Sequence, residues 1–410
     1  MTTSHSARQT TALHIAVSGF LALVVAMGIG RFAFTPQVPL MIDEHQLDLT
    51  TAGIVAAWNY LGYLAGSFDA MRAKRGIELR LWTGLWGAVI ITLLSAVISG
   101  AVLHSIARFF IGWASGWTLV LAAAWTNDAL AKLNRPALSV AVYGGTGTGI
   151  LLCGLAAIGI QGLSLTASQG WWIYGAAALL FSLYVSRYLP RPGELSSSSS
   201  PHSKPRMTPK IRRLLWSYAL AGFGYILPAT FLSQMAAARF PGSLFAQFVW
   251  PVFGIAAVAG IVAAIATRRF FTPQRRLAIT LWAQAAGILA AEIMPGISGL
   301  AVSAFLVGGG LMAAVQLAFQ CGRELAPEHG RYMAGLLTTW YAVGQLGGPL
   351  VSSVSAYFTG KLEPALWVAF AALIIGGLLV FRDHSDIKES LSQITGLLFI
   401  NPVIFIIHQK

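Results

Sequence analysis

The chain has 410 residues, of which 56% are hydrophobic and only 10% are charged, whereas roughly 25% of residues are charged in a typical soluble domain. So much apolar surface excludes a water-soluble globular protein and indicates a multi-pass membrane protein. The net charge of +13 does not indicate a nucleic-acid partner, because the basic residues are spread over short predicted loops rather than gathered on one face.

Twelve apolar runs of the sequence are long enough to be membrane-spanning helices, each of which needs about 20 residues. They are residues 12–41, 50–69, 81–101, 104–126, 137–161, 171–189, 211–236, 245–267, 276–295, 298–320, 332–358 and 364–381. None has the alternating pattern of a membrane β-barrel. We therefore expect an all-α integral membrane protein with twelve transmembrane helices.

A segment rich in proline and serine separates the sixth run from the seventh and contains five consecutive serines, Ser196–Ser200. This composition is typical of a flexible linker. We predict an N-terminal six-helix bundle (1–189), a cytoplasmic linker (190–210), a C-terminal six-helix bundle (211–382) and a cytoplasmic tail (383–410). A short similarity between residues 16–20 (AVSGF) and 219–223 (ALAGF) agrees with two pseudo-symmetric halves.

The lysines and arginines of the predicted loops lie almost entirely on one side of the membrane. The other side carries only Arg239 and Lys361. Because loops rich in Lys and Arg stay in the cytoplasm, we predict that both termini are cytoplasmic. The expected location is the cytoplasmic (inner) membrane, with the lipid bilayer as surroundings and a monomer as the oligomeric state.

Four motifs are typical of one family of carriers: residues 30–36 (GRFAFTP), 59–66 (NYLGYLAG), 222–231 (GFGYILPATF) and 344–349 (GQLGGP). They lie in order on predicted helices 1, 2, 7 and 11. With the arrangement of six helices, a linker and six helices, the chain resembles the major facilitator superfamily and, within it, the YbfB/YjiJ family. The resemblance implies a carrier that rocks between two open states, and it names no substrate.

Two further motifs of that superfamily are present in altered form. After predicted helix 2 the resemblance implies a gating role for Asp69, with Arg72 and Arg75 as basic partners. On predicted helix 4, residues 108–116 (RFFIGWASG) match a motif linked to proton coupling, so Arg108 is a coupling candidate. Predicted helix 5 carries GTGTG at 145–149 where antiporters of the superfamily usually have Gly-Pro, which argues against a drug antiporter.

Arg31 lies near the middle of the first apolar run. An arginine at that depth costs roughly 2.5–3.5 kcal/mol on insertion scales and normally faces a cavity or a partner. One interpretation is contact with a substrate in the central cavity, and the other is a structural salt bridge or a contact with a main-chain carbonyl. Arg108 has the same two interpretations. A guanidinium suits a carboxylate or a phosphate.

Acidic residues are almost missing from the predicted spans. Glu292, near the outer end of predicted helix 9, comes closest to a buried acid and is a candidate for proton coupling, as is His14. A positively charged cavity without its own carboxylate favours an anionic or zwitterionic substrate. Because the cell interior is negative, an anion gains about 2.3 kcal/mol per 100 mV on leaving, which favours export or exchange.

Polar side chains on several predicted helices are candidates for the substrate pathway. With Arg31 and Arg108, they are Asn59, Tyr63, Tyr225, Gln316 and Gln345. Asn59 and Tyr63 are four residues apart and therefore share one helical face. The alternative for each is a hydrogen bond between helices with no role in transport.

We therefore predict a secondary active transporter that moves a small organic solute, an anion or zwitterion, by alternating access through export or exchange. The alternative is an efflux pump for drugs or amphipathic metabolites that works as a proton antiporter. A more remote alternative is a membrane sensor that transports nothing. The sequence lacks paired carboxylates, His-based metal spacing and a nucleotide-binding loop, so we expect no enzyme and no cofactor. The expected partners are the substrate and, for coupling, protons.

Overall fold

The structure is a computed structural model that describes residues 2–195, 204–359 and 363–381. Within these ranges the chain is helical, and no β-strand is found there. Residues 196–203 of the predicted linker and the whole predicted tail, 383–410, lie outside them.

The α-helices of the described ranges follow one another along the chain. They are α1 (Thr2–Leu23), α2 (Phe34–Asp43), α3 (Leu49–Arg72), α4 (Ile77–Leu94), α5 (Ala101–Lys132), α6 (Leu138–Ala141), α7 (Gly144–Gly162), α8 (Ala167–Val185), α9 (Pro209–Arg239), α10 (Leu244–Gln247), α11 (Val249–Ala266), α12 (Pro273–Ile293), α13 (Gly296–Leu325), α14 (Gly330–Thr359) and α15 (Glu363–Phe381). A π-helical segment, Val24–Arg31, joins α1 to α2, and short 3₁₀ turns follow α11 and α13.

Eight helical segments of the described ranges are long and apolar enough to cross a membrane. They are Thr11–Asp43, Ile77–Leu94, Ala101–Lys132, Leu138–Gly162, Leu244–Arg269, Pro273–Ile293, Gly296–Leu325 and Pro364–Phe381. The all-helical, membrane-spanning character is therefore confirmed. Because the long helices α3, α8, α9 and α14 are not among these eight, the number of twelve spans stays a prediction.

The helices pack chiefly against others of the same half of the sequence. In the first half α5 contacts both α3 and α4, and in the second half α13 contacts α11 and α12 while α9 contacts α14 and α15. Two pairs of helices make the main connections between the halves, α7 with α11 and α3 with α14. Residues on the π-helical segment, α9 and α14 can therefore meet at the centre.

The first apolar run forms one long helical stretch that widens at its centre. The π-helical segment Val24–Arg31 is buried along its whole length. Such segments are rare and often occur at functional sites. Its Gly28 packs directly on α7, since a Cβ atom there would lie 2.5 Å from the Gly149 Cα. Beyond it, Pro36 and Pro39 have no N–H to donate to the preceding turn, so the regular α-helical hydrogen bonding is interrupted on both sides of Arg31.

The two ends of the molecule differ in how closely the halves approach. At the end where α3 finishes, a Cβ on Gly335 would lie 2.6 Å from the Met71 Cα, and the Tyr143 and Phe319 rings meet at a centroid distance of 6.1 Å. At the opposite end, where α2 and α7 finish, a cavity of about 650 Å³ lies between α2, α7, α9 and α11. The halves are thus close together at one end and apart at the other.

Candidate functional site

Arg31 ends the π-helical segment and reaches across to the other half of the chain. Its Nη2 donates a hydrogen bond of 2.7 Å to Oε1 of Gln345 on α14. Gln345 in turn donates from Nε2 to the hydroxyl of Tyr225 on α9, at 2.6 Å. Arg31, Gln345 and Tyr225 are 4%, 0% and 1% exposed. A chain of buried hydrogen bonds therefore connects three helical elements from the two halves.

Aromatic rings surround the Arg31 guanidinium. Its Cζ lies 4.0 Å from the centroid of the Tyr63 ring, and 5.4 Å and 5.7 Å from those of Phe32 and Tyr60. Cations are attracted to ring faces at such distances. Arg31 Nε makes no hydrogen bond within the described part of the chain, so the guanidinium keeps an unused donor.

A stack of three tyrosines continues from the site into the C-terminal half. The Tyr225 and Tyr341 rings are 5.5 Å apart and inclined by 15°, and the Tyr341 and Tyr218 rings are 4.5 Å apart and inclined by 28°. All three side chains are buried. Because Tyr225 bonds to Gln345, this tyrosine stack begins at the hydrogen-bonded group that faces Arg31.

Arg108 lies on α5 and is fixed inside the N-terminal half. Its Nη1 donates to the main-chain oxygen of Gly30 at 2.9 Å, and its Cζ lies over the rings of Phe34 and Trp171 at 5.4 Å and 5.3 Å. Asn59 Nδ2 donates to the main-chain oxygen of Arg108 at 3.0 Å. These contacts hold the main chain at Gly30, next to Arg31, and do not involve the Arg31 side chain.

Gln316 belongs to a separate polar ladder on α13. Its Nε2 donates to Oε1 of Gln320 at 3.4 Å, and Gln320 donates to Glu324 at 3.0 Å. Arg276 of α12 also donates to Gln320, at 3.3 Å. Glu292, the coupling candidate, lies half-buried in the last turn of α12. The structure therefore brings together four of the predicted pathway residues, Arg31, Tyr63, Tyr225 and Gln345, while Asn59, Arg108 and Gln316 have other contacts.

The predicted gate residue Asp69 has a basic partner that the sequence motif did not indicate. Asp69 forms an ion pair of 2.7 Å with Nε of Arg80 on α4 and accepts a hydrogen bond of 2.7 Å from the Trp117 indole. Arg72 lies over the Phe68 ring, and the main-chain oxygen of Arg75 accepts from Arg80. Arg80 stands in the position expected for Arg72 or Arg75 because α4 begins at Ile77 and its first turn faces the end of α3.

Sequence reasoning did not single out Phe32 and Tyr60, whose rings lie near the Arg31 guanidinium, or Tyr218, which stacks on Tyr341. A tyrosine in an apolar run is an ordinary packing residue, so only the folded arrangement singles these out. The sequence predicted a central cavity, and the cavity next to the site lies towards the ends of α2 and α7. Its wall includes Trp250, whose ring lies 6.3 Å from that of Phe32, so aromatic side chains lead from the cavity to Arg31.

A family model described as "Uncharacterised MFS-type transporter YbfB" matches residues 23–381. The chain belongs to this family. The matched range contains every residue of the Arg31 site and most of the described helices. No curated relative matches the chain. The family and the membrane-spanning helices together identify an MFS-type transporter in a membrane, crossed several times by the chain.

Proposed function

We propose that this MFS-type transporter moves a small organic anion or zwitterion by alternating access, through export or exchange, and that Arg31 binds the negative group of the substrate. The observation that supports this most directly is the Arg31–Gln345 hydrogen bond. It places a full positive charge opposite a neutral acceptor from the other half of the chain. A substrate carboxylate is a stronger acceptor, because an Arg–carboxylate pair adds attraction between two full charges and is frequently bidentate.

If a substrate carboxylate replaced Gln345 as the acceptor for Arg31, substrate binding would be connected with movement of the two halves. With Gln345 as acceptor, the π-helical segment and α14 are held together at mid-depth. When a carboxylate takes the place of the Gln345 oxygen, the direct hydrogen bond between the halves is replaced by contacts through the substrate. The energy gained on binding would then depend on the relative position of the halves, which is the requirement for a ligand to shift a conformational equilibrium.

The finer parts of the proposal follow the sequence-based expectations. The chain has twelve transmembrane helices in two six-helix bundles, 1–189 and 211–382, and lies as a monomer in the cytoplasmic membrane with both termini in the cytoplasm. The closed end at Met71 and Gly335 is then cytoplasmic and the cavity opens outward. Asp69 takes part in gating with Arg80. An anion leaving the negative interior gains about 2.3 kcal/mol per 100 mV.

A second candidate function, efflux of amphipathic compounds, is favoured by the aromatic rings around Arg31. Rings of tyrosine and phenylalanine accept apolar and cationic compounds as well as planar anions. In that case Arg31 would be a structural residue whose charge is balanced by Gln345 and the Tyr63 ring. The two candidates differ in whether Arg31 contacts the substrate.

Thermal unfolding of the purified protein with and without ligands separates them. The wild type and Arg31→Gln are compared in a panel of carboxylates, phosphorylated metabolites, amino acids and lipophilic cations. A ligand at 100 times its Kd stabilises the folded state by about 2.7 kcal/mol, so we expect one anion to raise the melting temperature of the wild type only. Equal stabilisation of both proteins by a lipophilic cation, with none by anions, would support efflux instead.

A further inference from the structure

The charge available at the Arg31 site limits the charge of the substrate. Within the part of the chain that the structure describes, the side chains in contact with the guanidinium are uncharged: Gln345, Phe32, Tyr60 and Tyr63. Arg108 contacts Gly30, Phe34 and Trp171 instead. One positive charge at Arg31 balances one carboxylate. Arg108 Nε and Nη2 also make no hydrogen bond in the described part of the chain, but the Phe34 and Trp171 rings lie against that guanidinium. A second carboxylate on the same ligand would therefore be buried without a counter-charge, which is costly.

The same contacts disfavour an ammonium group on the substrate. The usual partner for the ammonium group of a zwitterion is an acidic side chain. The described neighbours of Arg31 are an amide and aromatic rings, which offer an ammonium group a cation–π contact but no counter-charge. Of the acidic residues on this side of the molecule, Asp43 and Glu44 line the cavity at the end of α2. Glu44 is occupied there, since Oε1 accepts from the main-chain nitrogen of Ala167 and Oε2 from the Gln46 amide.

The body of the substrate is indicated by the rings. The Tyr63 ring lies against the Arg31 guanidinium. Tyr225, which accepts a hydrogen bond from Gln345, is the first ring of the Tyr225–Tyr341–Tyr218 stack. Between the cavity and this bond lie Trp250 and Phe32. Aromatic pairs gain energy beyond the area that they bury when the rings are stacked or edge-on. A flat ring attached to the carboxylate fits this surface better than an aliphatic chain does.

Hydrogen-bond donors at Gln345 and Tyr225 can bind the second oxygen of the substrate carboxylate. Gln345 Nε2 now donates to the Tyr225 hydroxyl, and both groups stay close to Arg31 when the Gln345 oxygen is displaced. A carboxylate has two oxygens with about four acceptor positions. One oxygen can accept from the Arg31 guanidinium and the other from the Gln345 amide or the Tyr225 hydroxyl.

We infer that the substrate is an aromatic monocarboxylate without an ammonium group, bound with its carboxylate on Arg31 and its ring against the tyrosines of α3, α9 and α14. The inference rests on the proposed function and narrows it to one chemical class. It assigns Tyr63 and Tyr341 the role of selecting an aromatic body, and Arg31 the role of selecting a single negative charge.

The inference is tested on the full-length protein with five probes, a reference compound and four others that each differ from it in one feature. The reference is 3-phenylpropionate, and the others are 3-cyclohexylpropionate (no aromatic face), phenylalanine (added ammonium), phenylsuccinate (second carboxylate) and 3-phenylpropionamide (no charge). Affinities are measured from the dependence of the melting temperature on ligand concentration. We expect 3-phenylpropionate to bind between about twofold and about tenfold more tightly than its cyclohexyl analogue, and more tightly than the three remaining probes.

Two variants connect the selectivity to named side chains. Arg31→Gln should lose binding of 3-phenylpropionate, and Tyr341→Leu should bring the ratio of phenyl to cyclohexyl affinity close to one. Tyr341→Phe keeps the ring and removes only the hydroxyl, so it should retain the wild-type ratio. It serves as the control for a general loss of packing in Tyr341→Leu.

The outcomes separate this inference from the proposed function. If 3-cyclohexylpropionate, phenylsuccinate or phenylalanine binds as tightly as 3-phenylpropionate and still requires Arg31, the aromatic monocarboxylate class is wrong and anion transport stands. If none of the carboxylates stabilises the wild type while a lipophilic cation does, both are wrong.

Discussion

Arg31 and Arg108 are both arginines inside membrane-spanning helices, and both are almost completely buried. Arg31 donates to a side chain that belongs to the other half of the chain, Gln345. Arg108 donates to a main-chain oxygen of its own half, that of Gly30. The two sites are linked through consecutive residues, since Gly30 precedes Arg31, but their acceptors differ in kind.

The difference determines which arginine can exchange its partner. The Gln345 side chain has rotatable bonds, and in the proposed alternating access the two halves that carry Arg31 and Gln345 separate. The Gly30 oxygen is fixed in the π-helical segment, and the Phe34 and Trp171 rings cover the Arg108 guanidinium. We therefore assign the substrate to Arg31 and a supporting role to Arg108, and substitutions at both sites and at their partners can test that assignment.

Gln345→Glu should have the largest effect, because it supplies Arg31 with a permanent carboxylate. The new ion pair would hold the two halves together and compete with any anionic substrate. We expect affinity for 3-phenylpropionate to fall about 100-fold or more, equal to about 2.7 kcal/mol, with an increase in the melting temperature. Both quantities come from thermal unfolding at graded ligand concentrations.

Gln345→Met is the matched control for this variant, since it keeps the length of the side chain without a charge. It should lower the melting temperature, because Arg31 loses its acceptor. It should retain most of the anion affinity, because Arg31 and the Tyr225 hydroxyl can still donate to the carboxylate. Unchanged anion affinity in Gln345→Glu would show that the substrate does not take the place of the Gln345 oxygen and would remove the distinction between the two arginines.

The sequence alone already indicates much of this site. A charge in the middle of an apolar run is conspicuous, and Arg31, Tyr63, Tyr225 and Gln345 all belong to the four family-like motifs of the sequence. Helical periodicity shows which residues share a face. It does not show which face meets another helix, so Asn59 shares a face with Tyr63 and yet donates to the Arg108 oxygen.

Other features depend on contacts that the sequence pattern does not define. Gln316 bonds to Gln320, four positions later on its own helix. The sequence was equally compatible with this contact and with a place on the substrate pathway. The π-helical segment Val24–Arg31 packs closely on α7 where Gly28 meets Gly149, and the sequence of the run does not show that the helix widens there. Arg80 became the partner of Asp69 because of the short turn between α3 and α4, whose geometry the altered motif did not define.

The second test compares stability in Arg108→Gln and Arg31→Gln. Arg108→Gln leaves the Gly30 oxygen buried without the guanidinium, and hydrogen bonds to charged groups contribute about 1.5–3 kcal/mol. Arg31→Gln leaves a side-chain amide that can turn towards Tyr225, so we expect a smaller loss. The free energies of unfolding of the two variants in detergent measure the difference. Equal losses would mean that Arg31 is as structural as Arg108.

The smallest effect is expected for Asn59→Ala, which removes one hydrogen bond to the Arg108 main-chain oxygen. The loss should be about 0.5–1.5 kcal/mol of stability, with unchanged affinity for 3-phenylpropionate. Tyr63→Leu, one helical turn along the same face, should instead weaken anion binding, because its ring contacts the Arg31 guanidinium. If Asn59→Ala weakens anion binding as much as Tyr63→Leu does, the surroundings of Arg108 also belong to the substrate pathway, and the two arginines act as one site.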